Sequence, residues 1–232
     1  MEAVGAPRPL LALAETGAVA AAYIAISLMS VSAFDLSFVF PQAWTDAQRA
    51  VGSGFLTGAL VQASLVLIGA FLLRSADLRR AVGMAFSPST RKAWTIALIA
   101  TAIHILTAIL VFLPRPERVL EASPLNLVLS AAAAPDGWSQ EVFFRGYVLL
   151  RLARGGVPGL AQVLISGALF AAIHIGYAGE GLWATLSPLV GTFMLGGFYA
   201  WAVQSGRGSL KPVVFCHMLI IVVEQPWLAL AR

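Results

Sequence analysis

Charge is scarce in this chain. Only 11% of its 232 residues are Asp, Glu, Lys or Arg, while 59% are hydrophobic. A soluble domain of this size carries about 25% charged residues. The shortage excludes an ordinary soluble domain and points to several passes through a bilayer. Cysteine is nearly absent: Cys216 stands alone, so no internal disulfide forms. Repeats and low-complexity linkers are lacking too, so the chain reads as one integral-membrane domain over 1–232, with a motif-bearing core at 122–231. No clean cleavable leader is visible. Arg8 precedes an apolar run, but Glu15 interrupts it, and the run reads as the start of a retained first helix. The net charge of +4 comes from short basic clusters between apolar runs. That distribution suits membrane orientation signals and excludes a nucleic-acid partner.

What the chain has in place of charge is long apolar runs. A crossing helix needs about 20 apolar residues. Runs at 16–34, 50–73, 93–114, 155–179 and 181–206 meet or approach this, as does 212–231 if Glu224 is tolerated. Between 122 and 152 lies a longer segment with Pro135 and Asp136, read as one broken or kinked helix because proline removes a backbone bond. The expected fold is all-α: a polytopic bundle of about seven transmembrane helices with a kinked fourth. The run 38–44 is a possible interfacial segment. One side of the membrane then holds Arg8, Arg74, Arg79, Arg80, Arg91, Lys92, Arg151, Arg154, Arg207 and Lys211; the other holds Arg49, Arg115, Arg118 and Arg232. The excess on the first side puts the N-terminus in the cytoplasm. Trp94, Trp183, Trp201 and Trp227 fall near span ends, as interfacial aromatics do. Gly54 with Gly58, and Gly191 with Gly196 and Gly197, mark faces for close helix packing.

The few ionisable groups inside the runs carry the functional question: Glu141, Arg145, His104, His174, His217 and Glu224. At membrane depth each is costly, by about 3 kcal/mol on the insertion scale for an Asp, Lys or Arg, so such residues are functional candidates. Glu141 and Arg145 are four apart, on one helix face. An ion pair that merely ties helices together is the plain alternative. Against it stand Gln140 at the same level, Gly146 allowing a close neighbour, and histidines on two further spans. His104 has no motif around it and reads as structural. On helical rise, Glu141 lies about 15 Å inward from Arg151, and His217 about 9 Å from Lys211. Tilt, a kink at Pro135 or a late helix start after Pro158 must bring the levels together.

The residues in order are Gln140-Glu141-x-x-x-Arg145, Phe170-x-x-x-His174 and His217-x-x-x-Ile221, the last preceded by Ser209-Leu210-x-Pro212. Over 138–221 this resembles the CAAX-processing and bacteriocin-processing (CPBP, or Abi) intramembrane proteases, which include the type II CAAX prenyl endopeptidases. Their pattern is Glu-Glu-x-x-x-Arg, Phe-x-x-x-His and His-x-x-x-Asn. The resemblance implies a glutamate-type endopeptidase acting on a membrane-proximal peptide or protein. Glu141, His174, His217, Arg145 and Gln140 are the implied catalytic set, and Phe144, Phe170 and Ile221 the implied substrate contacts. The expected setting is a prokaryotic plasma membrane. The expected partners are the lipid bilayer and a membrane-associated peptide or protein.

Two positions depart from the pattern. Gln140 replaces a Glu, and an amide takes no proton from water at neutral pH. Ile221 replaces an Asn donor, and losing one oxyanion donor costs about a hundredfold in rate. Glu141 helped by His174, or Glu224 on the face of His217, are the available substitutes. The alternative reading is a catalytically inactive membrane scaffold, chaperone or immunity protein. Glu141, His174 and His217 are zinc-ligand types, but no His-Glu-x-x-His helix is present and Arg145 opposes a second cation, so neither metal nor cofactor is expected.

Overall fold

The computed structural model describes residues 8–112, 124–175 and 182–230. Among them the chain forms eight helices and no strand, the expected all-α membrane bundle. Helix α1 spans Pro9–Ala33, opening on a proline whose missing N–H costs nothing at a first turn. Helix α2, Asp46–Leu67, starts at a capping box between Thr45 and Gln48 and ends in a π turn, Ile68–Leu72. Helix α3, Ala76–Met84, is capped by the Ser75 hydroxyl on the Leu78 N–H at 3.3 Å. This short helix lies in a stretch the hydropathy reading left as a connection. Helix α4 is Arg91–Phe112.

Helix α5 is the composite element that the polar stretch predicts. It runs from Pro124 to Glu141 as α-helix, through a π segment, Val142–Val148, into a last α-helical piece, Leu149–Arg154. Pro135 sits inside it without ending it. The Ser139 hydroxyl donates to the carbonyls of Pro135 and Asp136, at 3.0 and 3.2 Å. The change in backbone hydrogen bonding comes one residue after Glu141. π segments are rare and often mark functional positions. Gly156, with φ +79°, allows the turn out of α5. Helix α6, Gly159–Ile173, begins directly after Pro158, so of the three adjustments weighed from the sequence the late start is present. Helices α7, Leu182–Ser205, and α8, Lys211–Leu230, complete the bundle.

Among the described residues four helices are long and apolar enough to cross a membrane: Pro9–Ala33, Gln48–Leu72, Arg91–Leu110 and Leu186–Ser205. The shorter apolar helices Gly159–Ile173 and Lys211–Val223 and the polar α5 lie where the other three spans were expected. The bundle is apolar outside as well as inside, with Leu98, Ile99, Ile103, Leu160, Phe198 and Trp201 exposed. In a bilayer that surface faces lipid. At the centre, every residue of α5 from Ser139 to Leu149 is buried.

Glycine sets how closely neighbours approach α5. A Cβ at Gly146 would meet the Ala81 Cβ of α3 at 2.6 Å, so the close neighbour expected at Gly146 is α3. Gly54 and Gly58 face Val31 of α1, and Gly58 also faces Asp136 of α5. One end of the bundle is laced by polar contacts. Arg151 pairs with Glu15, Arg154 pairs with Asp77, and Ser209 donates to the Ser87 carbonyl at 2.8 Å. The Leu210 N–H donates to the Met84 carbonyl at 2.9 Å. These contacts gather segments that carry most of the ten cationic residues assigned to one side.

Candidate active site

Glu141 is the centre of the buried polar site. Arg145 Nη1 donates to its Oε1 at 3.0 Å, across one turn of α5. His217 Nδ1, from α8, reaches the same oxygen at 2.8 Å. A carboxylate only accepts, so Nδ1 carries the proton and Nε2 becomes the imidazole's acceptor. Glu141 and Arg145 have no exposed side-chain surface. Their charges are tolerable only because they meet; removing one partner of such a pair costs about 3–5 kcal/mol.

The guanidinium makes one hydrogen bond, from Nη1; Nε and Nη2 are buried without a hydrogen-bond partner among the described residues. Its central carbon lies 3.9 Å from the Phe170 ring centre and 5.8 Å from that of Tyr199. Both rings offer their electron-rich faces to a desolvated cation. Gly196 makes room: a Cβ there would sit 2.9 Å from Arg145 Nη2 and 3.2 Å from Phe170 Cδ1. Gly196, read as part of a packing face, therefore also sets the volume around the Arg145 guanidinium. Tyr199 is fixed by a 2.6 Å hydrogen bond between its hydroxyl and that of Thr101 on α4.

His174 ends α6, one residue past the helix. Its Nδ1 lies 2.7 Å from the Phe170 carbonyl oxygen. A carbonyl accepts, so this nitrogen donates and Nε2 is the acceptor. The Phe170 ring stands between the two histidines, with centroids 4.6 Å from His174 and 5.5 Å from His217. Thus Glu141, Arg145, Phe170, His174 and His217, taken from three helices, meet in one cluster.

The remaining expected residues lie around it. Phe144 is buried against Phe170 and Tyr23. Ile221 is buried, with Cδ1 3.2 Å from where a Cβ on Gly137 would stand. Gln140 does not join Glu141. It points about 100° around the helix, and its buried Oε1 has no hydrogen-bond partner among the described residues. The Glu224 side chain lies outside the described ones. Among the described residues no group of three or more His, Cys, Asp or Glu is placed to hold a metal ion.

Three residues were not singled out by motif reading. Asp136, noted only beside the proline, is a buried carboxyl one turn before Gln140. Tyr199 covers Arg145; its only signal is that it follows the Gly196-Gly197 pair by two residues. The Ser166 hydroxyl donates to the Phe144 carbonyl at 3.0 Å, tying α6 to the π segment.

Comparison with known proteins bears on this cluster. No curated protein and no solved structure matches the chain. Residues 121–223 do match the family described as type II CAAX prenyl endopeptidase Rce1-like. The matched stretch contains Glu141, Arg145, Phe170, His174 and His217, the residues that meet in the core. That match supports an assignment to the CPBP family of CAAX-type intramembrane proteases.

Proposed function

We propose that the protein is an intramembrane, glutamate-dependent endopeptidase that hydrolyses a membrane-proximal peptide bond. The supporting observation is the shared Glu141 oxygen. One buried carboxylate orients an arginine and a histidine from different helices, beside a second histidine across Phe170. Glu141 anchors the site: the His217 Nδ1–H donates to it, and when the ring carries a second proton Nε2 donates to the developing oxyanion. His174, held by its own backbone bond to Phe170, keeps Nε2 as an acceptor that orients the N–H of the scissile amide. Arg145 pairs with Glu141 at depth. The basic end of the bundle faces the cytoplasm, in keeping with the excess of Lys and Arg there.

The test uses purified protein in detergent and fluorescence-quenched peptides ending in a farnesylated cysteine and three further residues. A non-prenylated copy of each peptide runs alongside. Cleavage is expected, and Glu141→Gln and His174→Ala should each lower kcat/KM by about a hundredfold or more. Activity unchanged by both substitutions overturns the proposal. One observation favours a second reading, a catalytically silent scaffold, chaperone or immunity protein: Ile221 packs against Gly137 where the family pattern has a donor. A wild type that cleaves nothing, with cellular function surviving in the Glu141→Gln/His174→Ala double variant, selects that reading.

A further inference from the structure

Hydrolysis of an amide needs a group to take the proton of the attacking water, and the family pattern's first carboxylate is an amide here. Glu141 is a poor replacement. Its Oε1 accepts from Arg145 and His217; its Oε2 has no hydrogen-bond partner among the described residues, but protonating Glu141 there would strand a fully buried guanidinium.

The structure holds a second carboxyl on the same helix. Asp136 and Gln140 are four residues apart, on one strip of α5; Gly137 and Glu141 form the adjacent strip. Asp136 is 5% exposed and Gln140 7%. Asp136 Oδ1 and Gln140 Oε1 are both buried acceptors without a hydrogen-bond partner among the described residues. Two acceptors one turn apart, both lacking donors, suit one small molecule that donates twice, and water is that molecule. No Lys or Arg among the described residues forms an ion pair with Asp136, so a proton taken up there strands no partner. The facing groups are few. Tyr23 of α1 donates to Gln62 of α2 at 3.1 Å, and its ring stacks at 3.9 Å on Phe143 of the same strip. Gly58 of α2 leaves Asp136 Oδ2 its space, and the Ser139 hydroxyl is spent on backbone carbonyls. From α8, the apolar Met218 and Ile221 face Gly137.

We infer that Asp136 is the proton acceptor of the hydrolytic step, with Gln140 holding the water it activates. This rests on the endopeptidase reading. The Asp136 carboxylate takes one proton from water as the water oxygen bonds to the peptide carbonyl carbon. The carbon–nitrogen bond then breaks, and one proton passes to the leaving nitrogen. The products are one carboxyl and one amine, with one water consumed and no change of oxidation state.

The experiment measures kcat and KM on the farnesylated quenched peptide, with folding checked by elution in detergent. Asp136→Asn should lower kcat by about a hundredfold or more, with KM changed less than about threefold. Adding Gln140→Glu to Asp136→Asn moves the carboxylate one turn along the same strip and should restore kcat to within about tenfold of wild type. Should Asp136→Asn fail to fold, Asp136→Glu decides: it should shift the acidic limb of the kcat–pH profile, which a structural residue leaves in place. Near-wild-type kcat in folded Asp136→Asn, a folded double variant that stays inactive, or an unmoved acidic limb in Asp136→Glu each overturns the assignment. A silent wild type beside an active Gln140→Glu variant also overturns it, while leaving the endopeptidase site standing. If neither protein cleaves any peptide, the endopeptidase reading falls, and this assignment with it.

Discussion

Helix α5 contributes arginines to two clusters of ion pairs, less than two turns apart. Glu141 and Arg145 have no exposed side-chain surface and share their site with a histidine and two aromatic faces. Arg151 and Arg154 pair with Glu15 and Asp77, but the arginines are 36% and 45% exposed. The charges are the same and the surroundings opposite. In the core a charge survives only with its partner, so the pair constrains everything near it. At the rim, water and salt stand in for a lost partner, so the pairs orient helix ends at little energetic consequence.

The largest expected effect comes from breaking the inner pair. Arg145→Ala should destabilise the protein by about 3–5 kcal/mol, read from unfolding in detergent. Replacing both members, Glu141→Gln with Arg145→Met, should recover much of that stability and none of the activity, because no uncompensated charge remains. Next is the space around the guanidinium. Gly196→Ala places a methyl 2.9 Å from Arg145 Nη2. It should cost about 1–3 kcal/mol as an overpacked site, and an unchanged midpoint would show that the pocket yields. Tyr199→Phe keeps the ring over Arg145 and removes only the bond to Thr101. About 1 kcal/mol is expected, with peptide cleavage kept. The smallest effect belongs to the rim: Arg151→Ala should cost less than about 1 kcal/mol, and less still as salt is raised. A rim substitution as costly as Arg145→Ala would erase the contrast between the clusters.

Much of this was readable beforehand. The i, i+4 spacing of Glu141 and Arg145 gives their pairing from helix geometry alone. Pro158 marked the late start of α6, and the apolar runs marked the spans. Helix α3 was not legible because nine residues with Asp77, Arg79 and Arg80 among them read as a polar connection. They became a packed helix only because Gly146 lets Ala81 approach α5. Asp136 was passed over for a similar reason. Beside a proline it looked like part of a break, yet the helix runs through Pro135 and turns the carboxyl inward.

What the amino-acid sequence determined by itself was local and compositional. Scarce charge made a membrane protein, and periodic spacing put Glu141 with Arg145 and Asp136 with Gln140. Those follow from a fixed rise and rotation per residue. The tertiary structure decided which helix meets which strip. His217 rather than His174 bonds Glu141, Phe170 stands between the histidines, and Gln140 is turned away from the residue beside it. Such choices depend on side chains and glycines from segments far apart in the chain fitting one another, and no local rule contains them.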